Sequence, residues 1–163
     1  MSNMKIRPII PSDDPKIAAI IRSNLEEFHL DILGTAYFDP ELNCLSRYYE
    51  AEPDKRAYFI ALDDRENVIG GVGIAEFTGF DHCAEVQKLY LANAVKGNGF
   101  GKQLMYTAEE FARSVGYQSL YLETHTNLQT AIMLYERLGF VRIEKPATVV
   151  HSLMDHFYIK ELR

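Results

Sequence analysis

The sequence contains no tryptophan, only two cysteines among its 163 residues, and no long apolar run. A membrane-spanning helix needs about 20 consecutive apolar residues, so none is expected. Residues 1–5 lack the apolar core of a secretory signal, so no export signal is expected either. Cys44 and Cys83 have neither CxxC nor metal-ligand spacing. They are therefore predicted to be reduced thiols in a cytoplasmic protein.

Basic residues are also scarce, because 17 Lys and Arg stand against 23 Asp and Glu and give a net charge of −6. A nucleic-acid-binding protein usually carries a basic face, so we expect no nucleic acid among the partners. An acidic surface favours cationic or neutral partners. The C-terminal residues His151, Asp155 and His156 are too loosely spaced for a metal site, and no metal is expected.

The overall composition, with 47% hydrophobic and 25% charged residues, is typical of a soluble globular protein. The length fits one domain, over residues 1–163. Apolar periodicity then predicts a mixed α/β fold, with antiparallel strands first and a β-α-β-α-β run in the second half. The predicted elements are a strand over 5–10, a helix over 17–28, an irregular segment over 31–53, strands over 57–62, 68–75 and 83–93, a helix after 101, a strand over 117–123, a helix over 131–138, and strands over 140–143 and 157–162.

The most informative segment is a glycine-rich loop between a predicted strand and a predicted helix. Its residues are Lys96, Gly97, Asn98, Gly99, Phe100, Gly101 and Lys102. Glycines allow a tight turn and close approach of a ligand, and amides at a helix N-terminus stabilise an anion such as a pyrophosphate. Lys96 and Lys102 are expected to add positive charge beside that anion. The Walker pattern fails because Lys96 replaces its first glycine, and GxGxxG also fails. A connector that binds no ligand is the alternative interpretation.

Three segments in this order resemble the GNAT family of acyl-CoA-dependent N-acetyltransferases. They are EVQKLYL at 85–91, the glycine loop at 96–101, and AIMLYERLGF at 131–140. The family loop motif is Q/R-x-x-G-x-G/A, and here Lys96 takes its first position. The resemblance is close over 69–143 and loose over the N-terminal strand and helix. It implies a central, mostly antiparallel sheet with splayed middle strands, helices on both faces, and acetyl-CoA as co-substrate.

The resemblance also implies where acetyl-CoA binds. Its pantetheine arm would insert between the splayed strands and pair with the backbone of Leu89, Tyr90 and Leu91. These residues could equally be plain sheet core, and both roles are compatible because only the backbone is used. The pyrophosphate would rest on the amides from Gly97 to Lys102. Many family members have Asn three residues before the helix alanine, but that position is Leu128 here, so Asn127 is the candidate pantetheine contact.

The chemistry implied is acetyl transfer to a primary amine, of a small molecule rather than a protein. An amine with a pKa near ~10.4 must first lose a proton, and a carboxylate can accept it. Glu85 is the first candidate base and Glu123 the second, although either could be a solvated strand glutamate; His125 is interpreted as a loop residue. Tyr135 matches the helix tyrosine that protonates the departing thiolate, and its alternative role is that of a half-buried core aromatic.

The irregular segment 31–53 lies where the family builds its acceptor pocket. Aromatic and acidic residues here could form a pocket for a cationic amine, or they could be an ordinary helix surface and loop. The residues are Phe28, Tyr37, Tyr48 and Tyr49, with Glu26, Glu27, Asp31, Asp39 and Glu41. A homodimer is a further expectation from the family. The alternative functions are a non-catalytic acyl-CoA-binding module on the same fold and a nucleotide-binding protein of another class.

Overall fold

The computed structural model describes residues 4–150 and 152–162. The expectation about an export signal rests partly on residues 1–3, which lie outside this range. The described residues form the following elements: β1 (Lys5–Pro8), α1 (Asp14–Glu27), α2 (Leu45–Glu50), β2 (Ala57–Leu62), β3 (Val68–Phe77), β4 (Cys83–Leu91), α3 (Phe100–Ser114), β5 (Ser119–Thr124), α4 (Gln129–Arg137), β6 (Val141–Ile143) and β7 (His156–Glu161). No helix among them is long and apolar enough to cross a bilayer.

The strands form one seven-stranded sheet in the order β1-β2-β3-β4-β5-β7-β6. Every neighbouring pair is antiparallel except β4 and β5, which run parallel. The predicted mixed, mostly antiparallel sheet is therefore confirmed. The parallel pair arises because α3 crosses over between β4 and β5, as a parallel connection requires.

Apolar side chains cover both faces of the sheet. In α1, Ile17, Ile21 and Leu25 recur every fourth residue and are buried against one face. The other face packs under α3 and α4, where Leu104 and Leu120 are completely buried. Helices on both faces are therefore confirmed, and each face has its own apolar cluster.

Several element ends differ from the sequence prediction. The strand predicted over 83–93 ends at Leu91, because Asn93–Val95 forms a 3-10 turn. The segment over 31–53 contains two 3-10 turns followed by α2, which begins at Leu45. Gly139 follows the end of α4 with φ 92°, the left-handed conformation typical of a residue just after a helix.

The strands β4 and β5 separate partway along their length. Only Cys83, Ala84 and Glu85 of β4 pair with β5, although β4 continues to Leu91 and β5 to Thr124. A β-bulge also interrupts the pairing of β4 with β3 at Lys88, which has φ 51°. A bulge bends its strand and increases its twist. The sheet therefore opens into a wedge beyond Glu85.

Candidate active site

A cavity of about 240 Å³ lies where the wedge opens toward α1. It is lined by residues from three parts of the chain, namely 25–41, 85–90 and 123–154. Its polar and charged lining residues are Thr35, Asp39, Glu41, Glu85, Gln87, Lys88, Tyr90, Glu123 and Ser152. A larger depression of about 470 Å³ near Arg47 contains none of the predicted catalytic or cofactor-binding residues. We therefore take the smaller cavity as the candidate site.

Glu85 lies at the last paired position of β4 and points into this cavity. Its Oε1 accepts a hydrogen bond of 2.9 Å from Nε2 of Gln87, whose Oε1 in turn accepts one of 2.7 Å from the hydroxyl of Tyr49. Burial raises the pKa of Glu85 to about 7, with the Gln87 hydrogen bond acting against it and the charge of Glu123 adding to it. A carboxylate with this pKa is well suited to accept a proton near neutral pH.

Glu123 lines the same cavity from β5, but both of its carboxylate oxygens already accept hydrogen bonds. The hydroxyl of Tyr121 donates to Oε2 at 2.7 Å, and that of Ser152 donates to Oε1 at 2.7 Å. The ring of Tyr121 is itself fixed by stacking on Phe77, with centroids 3.9 Å apart. The two candidate bases are thus brought together, and Glu123 is the more fully hydrogen-bonded of the two.

Tyr135 lies on α4 with only 7% of its surface exposed. Its ring packs edge-on against Phe140, with centroids 6.0 Å apart, in the cluster under α3 and α4. Burial raises the pKa of Tyr135 well above its ordinary value, and the nearby Tyr90 hydroxyl adds to this effect. Tyr90 lines the cavity, whereas Tyr135 lies in the apolar cluster under α3 and α4, and its donor role stays a prediction.

The glycine loop has an open conformation around the start of α3. Gly97 and Gly99 have φ of 89° and 75°, and a Cβ at either position would meet no atom within 4 Å. Gly99 caps α3 without a side-chain hydrogen bond, while Asn98 closes the loop by donating to the carbonyl of Val95 at 2.9 Å. This geometry suits the binding of an anion at the helix N-terminus.

Lys96 points toward α1 rather than along the loop. Its Nζ donates to Oδ1 of Asn24 at 2.6 Å and lies 5.1 Å from the centroid of the Phe28 ring. Asn24 donates in turn to the carbonyl of Leu91 at 2.9 Å. Burial lowers the pKa of Lys96, with Glu27 acting against it. The lysine therefore links α1 to the end of β4.

The backbone predicted to receive the pantetheine arm lies along the wedge. Tyr90 and Leu91 pair with β3 on one side, whereas in the described residues the pairing with β5 has ended at Glu85. The side chain of Asn127 donates to the carbonyl of Phe28 at 2.9 Å, and its contact with the pantetheine arm stays a prediction. This hydrogen bond ties the loop before α4 to the end of α1, and Leu128 lines the cavity.

The structure also shows which residues of the predicted acceptor pocket reach the cavity. Asp39 and Glu41 do, and Nζ of Lys88 lies 2.8 Å from Oδ2 of Asp39 and 3.6 Å from Oε1 of Glu41. Tyr48 instead packs under the guanidinium of Arg56, 4.3 Å from its ring centroid. Sequence reasoning missed Lys88 as a cavity residue.

Sequence reasoning also missed Gln87 as the partner of Glu85. Alternation along β4 could have found it, because residues two apart share one face of a strand.

At the C-terminal end, Asp155 accepts hydrogen bonds from Thr126 and lies 2.8 Å from Nδ1 of His156. Burial acts to raise the pKa of Asp155, but these contacts outweigh it and lower that pKa to about 2. His151 lies outside the described residues. Across residues 4–150 and 152–162, no group of three or more potential metal ligands is found.

Comparison with known proteins identifies the class of enzyme. The family model described as "Acetyltransferase (GNAT) family" matches residues 23–140. An uncharacterized N-acetyltransferase of Escherichia coli (strain K12), YjgM, is 39% identical over 141 residues, which cover 85% of this chain and 83% of that protein. The protein is therefore an acyltransferase. It belongs to the GNAT family of acetyltransferases.

Solved structures agree on the fold. A GNAT-family acetyltransferase from Staphylococcus aureus Mu50 matches with a TM-score of 0.86, covering 99% of this chain and 100% of that chain at 18% identity. The PaiA N-acetyltransferase of Thermoplasma acidophilum, in complex with coenzyme A, matches with a TM-score of 0.76, covering 98% and 99% at 17% identity. The GNAT fold predicted from the sequence is confirmed.

Proposed function

We propose that this protein transfers the acetyl group of acetyl-CoA to a primary amine, and that the acceptor is a small molecule rather than a protein. The observation that carries the proposal is the position of Glu85, where β4 and β5 part and a cavity opens. The cavity beside Glu85, of about 240 Å³, has room for a compact acceptor. The complex of PaiA with coenzyme A supports the choice of donor.

Two parts of the chain would hold acetyl-CoA. The amides from Gly97 to Lys102 would bind the pyrophosphate, and the open space at Gly97 and Gly99 leaves room for it. The pantetheine arm would lie along the backbone of Leu89, Tyr90 and Leu91, as an added strand in the wedge. A backbone amide near Leu91 would polarise the thioester carbonyl, in the manner of an oxyanion site.

Direct attack of the amine on the thioester is the proposed chemistry. Glu85 accepts a proton from the ammonium form of the acceptor, directly or through a water molecule. The amine nitrogen then bonds to the acetyl carbonyl carbon and the carbon–sulfur bond breaks. Tyr135 donates a proton to the departing thiolate, and the second proton that the nitrogen loses on forming the amide restores the Tyr135 hydroxyl through water. Glu123 is the second candidate base. Both of its carboxylate oxygens already accept hydrogen bonds, so we assign the role of base to Glu85.

The charge of the cavity favours a cationic acceptor. Four carboxylates line it, from Asp39, Glu41, Glu85 and Glu123, against the single ammonium of Lys88. Lys88 pairs with Asp39 and Glu41, so an excess of negative charge remains on the side of the two glutamates of the sheet. This field attracts an amine that arrives protonated.

Three finer expectations belong to the proposal. The protein is a single domain over residues 1–163, it works in the cytoplasm, and it forms a homodimer. The free thiols of Cys44 and Cys83 support a reducing compartment. Light scattering coupled to size-exclusion chromatography measures the oligomeric state, and a mass of one chain, 18.6 kDa, would contradict the dimer.

The activity is tested by thiol release from acetyl-CoA across a panel of polyamines, amino sugars, amino acids and peptides, with the product identified by mass spectrometry. Glu85→Gln and Tyr135→Phe are expected to reduce kcat by about 10²-fold or more. Tyr48→Phe is the matched control and should not, because Tyr48 packs against Arg56 away from the cavity.

Two results would contradict the proposal. If acetyl-CoA raises the melting temperature while no amine is acetylated, the protein is a non-catalytic acyl-CoA-binding module. If ATP or NAD stabilises the protein and CoA does not, it binds a nucleotide of another class.

A further inference from the structure

A chain of two hydrogen bonds connects the helix α2 to the proposed base. The Tyr49 hydroxyl donates to Oε1 of Gln87 at 2.7 Å, and Nε2 of Gln87 donates to Oε1 of Glu85 at 2.9 Å. Among the residues described, Gln87 is the only hydrogen-bond donor to the Glu85 carboxylate. The second oxygen, Oε2, has no hydrogen-bond partner among the described residues.

The direction of this chain is fixed by chemistry. A carboxamide has an oxygen that only accepts and a nitrogen that only donates. Because Tyr49 donates to the amide oxygen, Gln87 must present its nitrogen to Glu85. The reversed amide would place an oxygen against the ionised carboxylate and lose that hydrogen bond, whereas the Tyr49 hydroxyl could still accept one from the amide nitrogen. Burial raises the pKa of Tyr49 well above its ordinary value, so its hydroxyl remains a donor.

Packing holds Tyr49 in place. Its side chain is 2% exposed, and its ring lies between those of Tyr48 and Tyr58, with centroid distances of 4.9 and 5.3 Å. The hydroxyl passes over Gly73 of β3, where any Cβ would overlap it. A rigid donor at this point limits Gln87 to one orientation.

We propose that Gln87 is a positioning residue that orients the Glu85 carboxylate and favours its ionised form, and that Tyr49 acts only through Gln87. This rests on the proposed function in so far as Glu85 is the base. Gln87 touches neither the acceptor nor the thioester in this role. In this role Gln87 orients the carboxylate so that Oε2 points into the cavity. Its N–H group also donates one hydrogen bond that stabilises the negative charge of the partly buried Glu85 side chain.

Other charges near Glu85 set the background for this effect. Glu123 and Asp39 raise the pKa of Glu85, while Lys88 lowers it. The charged and titratable groups that face the site are, by element, Glu123 and Tyr121 of β5, Lys88 and Tyr90 of β4, Tyr49 of α2, and Asp39 and Glu41 of the segment before α2. Loss of the Gln87 donor should therefore raise the pKa of Glu85, because no described hydrogen bond would oppose the remaining effects.

The test is a pH titration of the glutamate side-chain carboxyl carbons by NMR, with the Glu85 signal assigned from its loss in Glu85→Gln. Gln87→Leu should raise the pKa of Glu85 by about 0.5–1 pH unit, since water replaces part of the lost donor. Tyr49→Phe should give a smaller rise. The double variant should match Gln87→Leu alone, because Tyr49 acts through the amide. Tyr48→Phe, the control, should leave the titration unchanged.

The acidic limb of kcat/KM against pH should move in the same direction and by the same amount in each variant. Gln87→Met, which is unbranched and close in length, replaces Gln87→Leu if the latter does not fold. The inference is overturned if a folded variant without the amide titrates like the wild type. It is also overturned if Tyr49→Phe adds its own shift in the double variant, or if Glu85→Gln keeps the wild-type kcat. Shifted titrations in an enzyme that acetylates no amine would overturn the proposed function alone.

Discussion

Replacing the proposed base should make the protein more stable at alkaline pH while it removes activity. Burial raises the pKa of Glu85 from 4.5 to about 7. Between these two values the folded protein holds a proton that the unfolded chain has released. The stability contributed by this group is therefore fully present below about pH 4.5 and is lost as the pH rises through about 7. The side chain introduced by Glu85→Gln is neutral at every pH, so this variant does not lose that stability as the pH rises.

The size of the effect follows from the pKa difference. Each pH unit is worth about 1.4 kcal/mol, so the rise from 4.5 to about 7 corresponds to at most about 3.5 kcal/mol in the free energy of unfolding. Glu85 is partly exposed, and solvent screening reduces this to about 2 kcal/mol. The carboxamide introduced by Glu85→Gln still offers an oxygen to Gln87, so little hydrogen bonding is lost.

Urea unfolding at pH 5 and pH 8 measures the prediction. Relative to the wild type, Glu85→Gln should gain about 1.5 kcal/mol in the free energy of unfolding between these two pH values, because part of the change already lies below pH 5. Glu110→Gln, on the exposed side of α3, is the control and should run parallel to the wild type. Equal differences between wild type and Glu85→Gln at both pH values would show that Glu85 ionises near its ordinary pKa, and the reasoning for a poised base would be wrong.

Three further variants test the remaining contacts. Gly97→Ala should raise the KM for acetyl-CoA about tenfold and lower the free energy of unfolding by about 1 kcal/mol. Gly116→Ala, at another open glycine with positive φ, is the control: it should lower the free energy of unfolding by a similar amount and leave the KM for acetyl-CoA unchanged. Lys96→Met should change the KM for acetyl-CoA less than about threefold and lower stability by about 1 kcal/mol, because the lysine bonds to Asn24; a large KM effect with unchanged stability would refute this placement. Glu123→Gln should keep kcat within about tenfold of the wild type, and a loss as large as that of the proposed base would reverse the two roles.

The sequence was sufficient for the order of the elements because their signals are local. The recurrence of Ile17, Ile21 and Leu25 marks α1 without knowledge of the sheet. The left-handed Gly139 after α4 follows from residue chemistry in the same way. The family motifs at 85–91 and 131–140 supplied the fold and the candidate base and acid.

The side-chain partners could not be predicted because they depend on distant contacts. Tyr49 and Gln87 are 38 residues apart, and no periodic pattern connects α2 to β4. The partner of Lys96 is Asn24, 72 residues away, so its turn toward α1 depends on where α1 crosses the sheet. Asn127 likewise reaches the end of α1, which only the tertiary structure reveals.

The bulge at Lys88 reverses the alternation of β4. Before it, Val86 packs under α3 and α4 while Gln87 faces the cavity. Lys88 then faces the same cavity as its neighbour, and Leu89 returns to the side of Val86. In a regular strand, residues five apart point to opposite faces. Because the bulge adds one residue, Glu85 and Tyr90 both line the same cavity. Deleting Lys88 would restore regular alternation with Leu89, Tyr90 and Leu91 on their present faces, and it would remove the bend that the bulge gives β4 beside the wedge.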